Sequence, residues 1–284
     1  MVEANRTFLP VKSDVVFRKF FTDKGNAGLL KSFLKSVLRL SDDEYGDLVV
    51  DNPQLMPEVI GDKVPVIDIK LHTKSGKVLH VELQLVVRPE LRDRIVYYDA
   101  KLIAEQVKSG DEYSVLKQVV SILITHEPLL PTSPPYHHRF TFYDAEAKVE
   151  FSDIIEINTL ELRKLPPKTD GTALYSWTKF IAAETEEELT MAADGNPEVQ
   201  EAVIRLRELS ADEQTRYMYE MREKARMDHN MHMRHERQEG RQEGRQEGVQ
   251  AVAKKLLETH LSIEDIMNAT GLTRETIEQL RYAN

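Results

Sequence analysis

At 284 residues the chain is long enough for one sizeable core domain with smaller attachments, and the absence of cysteine excludes disulfide staples and thiolate metal sites. The net charge of −10 gives no support to a nucleic-acid partner, although it is uneven: residues 1–127 hold 18 Lys and Arg against 19 Asp and Glu, and the remainder holds 20 against 29. The opening MVEANRTFLPVKSD lacks the basic-then-apolar pattern of a signal peptide, and no apolar run nears the roughly 20 residues that span a bilayer, so a cytoplasmic protein with no membrane partner is expected.

Ser13 or Asp14 can cap a helix through VVFRKFF, and GNAGLLKSFLKSVLRL continues with apolar residues at helical spacing. SDDEYGD reads as a loop, and residues 54–60 as a short extended segment that Pro57 places at an edge. A hairpin is expected over 66–86 and a helix over 92–109; Arg88, Arg92, Arg94, Lys101 and Lys108 lie close in sequence and leave room for a local basic groove. VVSILIT (119–125) suits a buried strand, and HRFTFYDA and VEFSDIIEINTLEL alternate as further strands. From Thr172 to about Arg234 the pattern is helical, interrupted at DGNP (194–197), with Trp177 as a core anchor. This order of elements indicates an α/β fold with a mixed sheet.

Residues 237–248 read RQEGRQEGRQEG. Each glycine costs a helix about 1 kcal/mol against alanine. The four-residue period also stacks Arg237, Arg241 and Arg245, and likewise Glu239, Glu243 and Glu247, which opposes a lone helix. The plainer reading is a solvated connector; the sharper one is self-pairing, arginine stripes of one chain against glutamate stripes of another. The final LSIEDIMNATGLTRETIEQL reads as two short helices, with Ser262 and Asp265 as a capping box, Gly271 in the turn and Thr273 as the second cap. It has a helix-turn-helix outline, but residues 253–284 carry four basic against five acidic side chains, which suits a small protein–protein module as well as DNA contact.

The hairpin carries the chemistry. Ile67, Ile69 and Leu71 share one face of the first strand, and Asp68, Lys70 and His72 the other; in the second strand Leu79, Val81, Leu83 and Leu85 oppose Val78, His80, Glu82 and Gln84. A three-residue loop Lys74-Ser75-Gly76, with glycine at the positive-φ position, pairs Thr73 with Lys77 and Asp68 with Glu82. Two carboxylates directly opposite repel. A divalent cation offsets that repulsion, and so does exposure to solvent with Lys70 alongside. His72 and His80 lie nearer the turn on the polar face; they could contribute a ligand, but read better as exposed hairpin histidines. No phosphate-binding glycine loop and no G-x-S-x-G appear, and His137, His138, His229, His232 and His235 lack zinc-site spacing.

FLPVKSDVVFRKFF (8–21), GLLKSFLKSVL (28–38), VIDIK (66–70), VELQL (81–85), RIVYYDAKLIAEQVKSGDEY (94–113), YSWTKFIAAETEEEL (175–189), the glycine–glutamate repeat and the final helix pair, taken as an ordered set, resemble the Rpn family of recombination-promoting nucleases and transposase-like proteins, within the PD-(D/E)XK nuclease superfamily. The resemblance implies a restriction-endonuclease-like core over residues 1–165, a helical extension over 166–236, the repeat connector over 237–250 and the helix-turn-helix-like segment over 251–284. It implies that Asp68, Glu82 and the Leu83 main-chain carbonyl hold Mg²⁺ or another divalent cation, with Asp14 as a further acidic position, and that Gln84 stands where the superfamily usually has lysine. Arg94, Tyr97 and Tyr98 match an R-x-x-Y-Y helix that, with Lys70, steadies a substrate phosphate; core packing and a surface pair explain Tyr98 and Arg94 equally well. The implied function is metal-dependent hydrolysis of phosphodiester bonds in double-stranded DNA, linked to recombination or mobile elements. The alternative is a catalytically degenerate nuclease fold that acts as a DNA- or protein-binding module and self-associates through its C-terminal repeat and helices.

Overall fold

The computed structural model describes residues 7–46, 48–51, 68–259 and 261–282. The extended segment expected over 54–60 and the first two residues of the hairpin, 66–67, lie outside the described residues. The chain divides into two compact units, Met1–Tyr219 and Glu220–Asn284.

In the first unit, α1 (Asp14–Thr22) and α2 (Ala27–Val37) form where apolar residues recur at helical spacing, and both bury that stripe. Six strands make one mixed sheet: β1 (Val49–Asp51), β2 (Ile69–His72), β3 (Val78–Gln84), β4 (Val119–Thr125), β5 (His137–Asp144) and β6 (Val149–Glu161), in the order β1-β2-β3-β4-β6-β5. β1/β2, β2/β3 and β5/β6 are antiparallel, whereas β3/β4 and β4/β6 are parallel. A parallel pair needs a crossover, and α3 (Leu91–Ala104) supplies it between β3 and β4. This is the expected α/β fold.

Alternation along the central strands sorts their side chains into two layers. Ile69, Leu71, Leu79, Val81, Leu83, Val120, Ile122 and Ile124 point into the main core, where α1, α2, α4 (Ala173–Ala182) and α6 (Pro197–Ala211) meet them. Trp177 is fully buried there among Phe21, Phe33 and Phe180, and its indole N–H donates to Ser32 Oγ at 3.1 Å. On the opposite layer α3 lies over the sheet, with Leu102 against Val78 and Val119, and Leu91 and Ile95 against Leu123. The central strands are therefore covered on both sides. Thr172, Thr185 and Asn196 cap α4, α5 (Glu186–Ala193) and α6. The expected break at 194–197 is built from Gly195 (φ +70°), the Asn196 cap and Pro197 in the first helical turn.

One helix, α7 (Glu213–Leu257), carries the RQEG repeat, which is helical throughout with its side chains exposed at 237–247. This corrects the expectation that its glycines and stacked like charges oppose a helix. Nucleation is the costly step, and the long flanks of helix-favouring residues supply it, leaving three glycines a propagation cost of about 1 kcal/mol each. In the second unit Ala253 of α7, Ile266 of α8 (Ile263–Thr270) and Ile277 of α9 (Arg274–Tyr282) form a separate small core. Ser262 Oγ accepts from the Asp265 N–H, Gly271 makes the turn at φ +71°, and Thr273 Oγ1 accepts from the Thr276 N–H at 3.3 Å. Among the described residues no helix is long and apolar enough to cross a membrane.

Candidate active site

The β2–β3 turn sets the geometry. Thr73 N–H donates to the Lys77 carbonyl at 3.0 Å, Gly76 N–H donates to the Thr73 carbonyl at 2.9 Å, and Gly76 takes φ +87°. Only a residue without a β-carbon adopts that φ without strain. The turn fixes the pairing His72 with Val78 through Ile69 with Val81. Asp68, one residue before β2, lies close enough to Glu82 for the two charges to interact.

Asp68 is 8 % exposed. Its Oδ2 accepts from the Leu83 main-chain N–H at 2.7 Å, and its Oδ1 lies 3.7 Å from Arg18 Nη2 of α1. Burial pushes its carboxyl up to about 7, with the Glu82 charge as the second cause and Asp14 a smaller one; the Leu83 N–H and Arg18 act in the other direction. A strand residue sends its N–H and C=O to the same side, so the Leu83 carbonyl also faces the Asp68 side of β3. Asp14 opens α1, where its Oδ1 accepts from the Val15 N–H at 2.9 Å.

Glu82 is 4 % exposed, and its two oxygens differ. Oε1 accepts from Gln84 Nε2 at 2.7 Å and from Arg94 Nη2 at 3.4 Å. Oε2 is buried without a hydrogen-bond partner, with His80 Nε2 at 3.7 Å as its charged neighbour. A buried carboxylate is costly unless a positive charge answers it; His80 answers Oε2, and a divalent cation near Asp68 and Glu82 would answer the pair. Among the described residues, however, no three His, Asp or Glu side chains gather into a metal-holding group.

Other candidates separate. Arg94 reaches Glu82 and lies over the Tyr98 ring at 5.8 Å. Tyr98 packs 6.1 Å from the His80 ring, whereas Tyr97 is exposed beside it. Lys70 is committed to Asp51 of β1 at 3.4 Å, and His72 contacts the same carboxylate at 3.3 Å.

His80 is the clearest departure from the sequence reading. Far from exposed, it is fully buried under α3. Its Nδ1 lies 3.1 Å from Asp99 Oδ1 and 3.1 Å from Ser121 Oγ, and Ser121 donates to Asp99. Burial alone would depress the imidazole, but the Asp99 hydrogen bond and the Glu82 carboxylate overcome it and hold the pKa up at about 9. Asp99 and Ser121 were missed altogether. Their signal was present: Asp99 interrupts the buried stripe Leu91, Ile95, Leu102 of α3, and Ser121 interrupts an otherwise apolar strand. A charge in a core stripe demands a buried partner.

A mixed sheet with D-x₁₃-E-x-Q on its central antiparallel pair, roofed by an R-x-x-Y-Y helix, defines a PD-(D/E)XK nuclease-like α/β fold. A family model described as PD-(D/E)XK nuclease family transposase matches residues 11–236, and the chain belongs to that family. No curated protein and no solved structure matches the chain.

Proposed function

We propose that this protein is a divalent-metal-dependent endonuclease that hydrolyses phosphodiester bonds in double-stranded DNA, in the service of recombination or mobile elements. The observation that carries this reading is the pair of buried acids, Asp68 and Glu82, close enough that the Glu82 charge adds to burial in raising the Asp68 carboxyl. Asp68, Glu82 and the Leu83 carbonyl are the groups that would hold Mg²⁺ or a similar ion, with Asp14 nearby. Such an ion supplies an acidified water and neutralises charge growing on the phosphoryl oxygens. Gln84 fixes Glu82 through Oε1 and can orient a water; being neutral, it takes no proton. Arg94, beside Glu82 and backed by Tyr98, is the cation best placed to meet a phosphate. Tyr97 has the exposure to touch a strand, and Lys70 contributes once released from Asp51.

Gln84 in the usual lysine position favours a second reading, a degenerate nuclease fold that binds DNA or protein without cutting. Under either reading the exposed arginine and glutamate stripes of α7 suit self-association. The deciding experiment is cleavage of duplex DNA with and without Mg²⁺ or Mn²⁺, using Asp68→Ala and Glu82→Ala variants that keep the parent circular dichroism. Metal-dependent cleavage abolished by both substitutions supports the nuclease. Intact DNA, or cutting that both variants retain, removes it.

A further inference from the structure

A second polar cluster lies at the start of β5, three places from β3 in the strand order and apart from the two acids. Ser133 Oγ and His138 Nε2 are 2.6 Å apart, a short hydrogen bond. The other ring nitrogen, Nδ1, lies 3.5 Å from Glu161 Oε1. Both of those atoms are buried and neither makes a hydrogen bond, which leaves them to answer each other. Glu161 itself is fully buried and fixed. Its Oε2 accepts from the Leu129 and Leu130 N–H groups at 2.8 and 3.1 Å and pairs with Lys164 Nζ at 2.8 Å. Lys164 also donates to the Leu130 and Ser133 carbonyls, both at 2.6 Å, and so ties the loop that carries Ser133 to Glu161. His138 is held by the pairing of β5 with β6, and its ring stacks on Phe140.

A hydroxyl on one imidazole nitrogen, with a carboxylate behind the other, is the arrangement that activates a serine. The imidazole takes the hydroxyl proton, and the carboxylate orients the ring and steadies the imidazolium. The Nδ1 contact is long for a hydrogen bond, as catalytic contacts often are without substrate. We propose that Ser133, His138 and Glu161 act as a nucleophile–base–carboxylate triad that hydrolyses small activated esters. The proposal is independent of the reading of Asp68 and Glu82. The hydroxyl is within reach of a small molecule, since Ser133 is half-buried and its neighbours Thr132, Pro134 and Pro135 are exposed. The residue that follows sets the substrate class. In α/β-hydrolases the N–H after the nucleophile helps to bind the oxyanion, and Pro134 has no N–H. Lys164 has committed its three donors to Leu130, Ser133 and Glu161. Without help from either, an amide is a poor substrate, and an acyl group on a good leaving group is the one this serine can attack. In that step the Oγ–C bond forms and the ester C–O bond breaks, and the proton taken by Nε2 leaves on the departing alcohol. Water then attacks the acyl-serine by the same route, releasing the acid and restoring the hydroxyl.

The test is reaction of the full chain with a fluorophosphonate probe, the adduct being located by peptide mass. In the folded chain Ser133 Oγ should displace fluoride from phosphorus and carry the adduct, whereas the same peptide of the urea-unfolded chain stays unlabelled. A folded His138→Asn variant should react at least about a hundredfold more slowly, the loss expected of a general base. Hydrolysis of p-nitrophenyl acetate should be lost to the same degree in Ser133→Ala. Absence of an adduct on Ser133 of the folded chain overturns the proposal. So does labelling that is as fast in urea or in folded His138→Asn, which is the reactivity of an ordinary serine. Ester hydrolysis that Ser133→Ala retains overturns the assigned activity. The comparison of folded with unfolded chain decides the matter even where His138→Asn fails to fold.

Discussion

Asp68 carries its carboxyl into the end of the β2–β3 pair, where its pKa is about 7 against an ordinary 3.8. The linkage follows directly. Above about pH 4 the unfolded chain gives up this proton while the folded chain keeps it, so rising pH erodes stability until about pH 7, after which the loss is constant. Asp68→Asn keeps an acceptor for the Leu83 N–H and removes the charge. It should therefore raise the melting point of the metal-free protein at pH 8, by a stability gain on the order of a few kcal/mol, and leave it unchanged near pH 4. Thermal melts at the two pH values check this; an equal shift at both would assign the effect to packing instead. The β2–β3 register that brings Asp68 near Glu82 was legible from the alternation of aliphatic residues and from Gly76. The burial of the pair was not, because strand periodicity says which side chains share a face and nothing about which helix covers it. Asp99 in the apolar stripe of α3 was the clue to that roof, and its partner His80 was the residue the sequence reading left in solvent.

At the scale of elements, β4 was read with its boundaries intact because six of its seven residues are β-branched or apolar and polar residues flank it, a pattern with few other solutions. The repeat in α7 was harder, since local propensity and helix continuity pull in opposite directions there. A β-carbon added at Gly240, Gly244 or Gly248 meets nothing within 4 Å. Replacing all three by alanine should stabilise this stretch by about 1 kcal/mol per site, seen as a higher melting point of the helical signal in circular dichroism. A lower melting point would mean that the glycine positions seat side chains of another molecule, which alanine displaces.

For the molecule as a whole, the two units hold their apolar residues in separate clusters, one around the sheet and one of Ala253, Ile266 and Ile277. Most of the net charge of −10 falls after residue 127, so the C-terminal half is the poorer face to offer a phosphate backbone and the better one for a protein partner. Like charges at four-residue spacing disfavour an isolated helix, whereas an antiparallel copy sets the Arg237, Arg241 and Arg245 stripe against the Glu239, Glu243 and Glu247 stripe. Ending the chain at Arg234 removes both stripes and spares the main core. We expect the full chain to run as a multimer and the shortened one at a lower mass per particle, with the melting point of the first unit unchanged to within about 2 °C, a shift that corresponds to about 0.5–1 kcal/mol for a domain of this size. Because exposed charge pairs are screened over about 3 Å at 1 M salt against about 10 Å at 0.1 M, salt should dissociate the full chain toward the mass of the truncated one. Light scattering across that salt range measures both effects, and an unchanged mass on truncation would rule out pairing through the repeat.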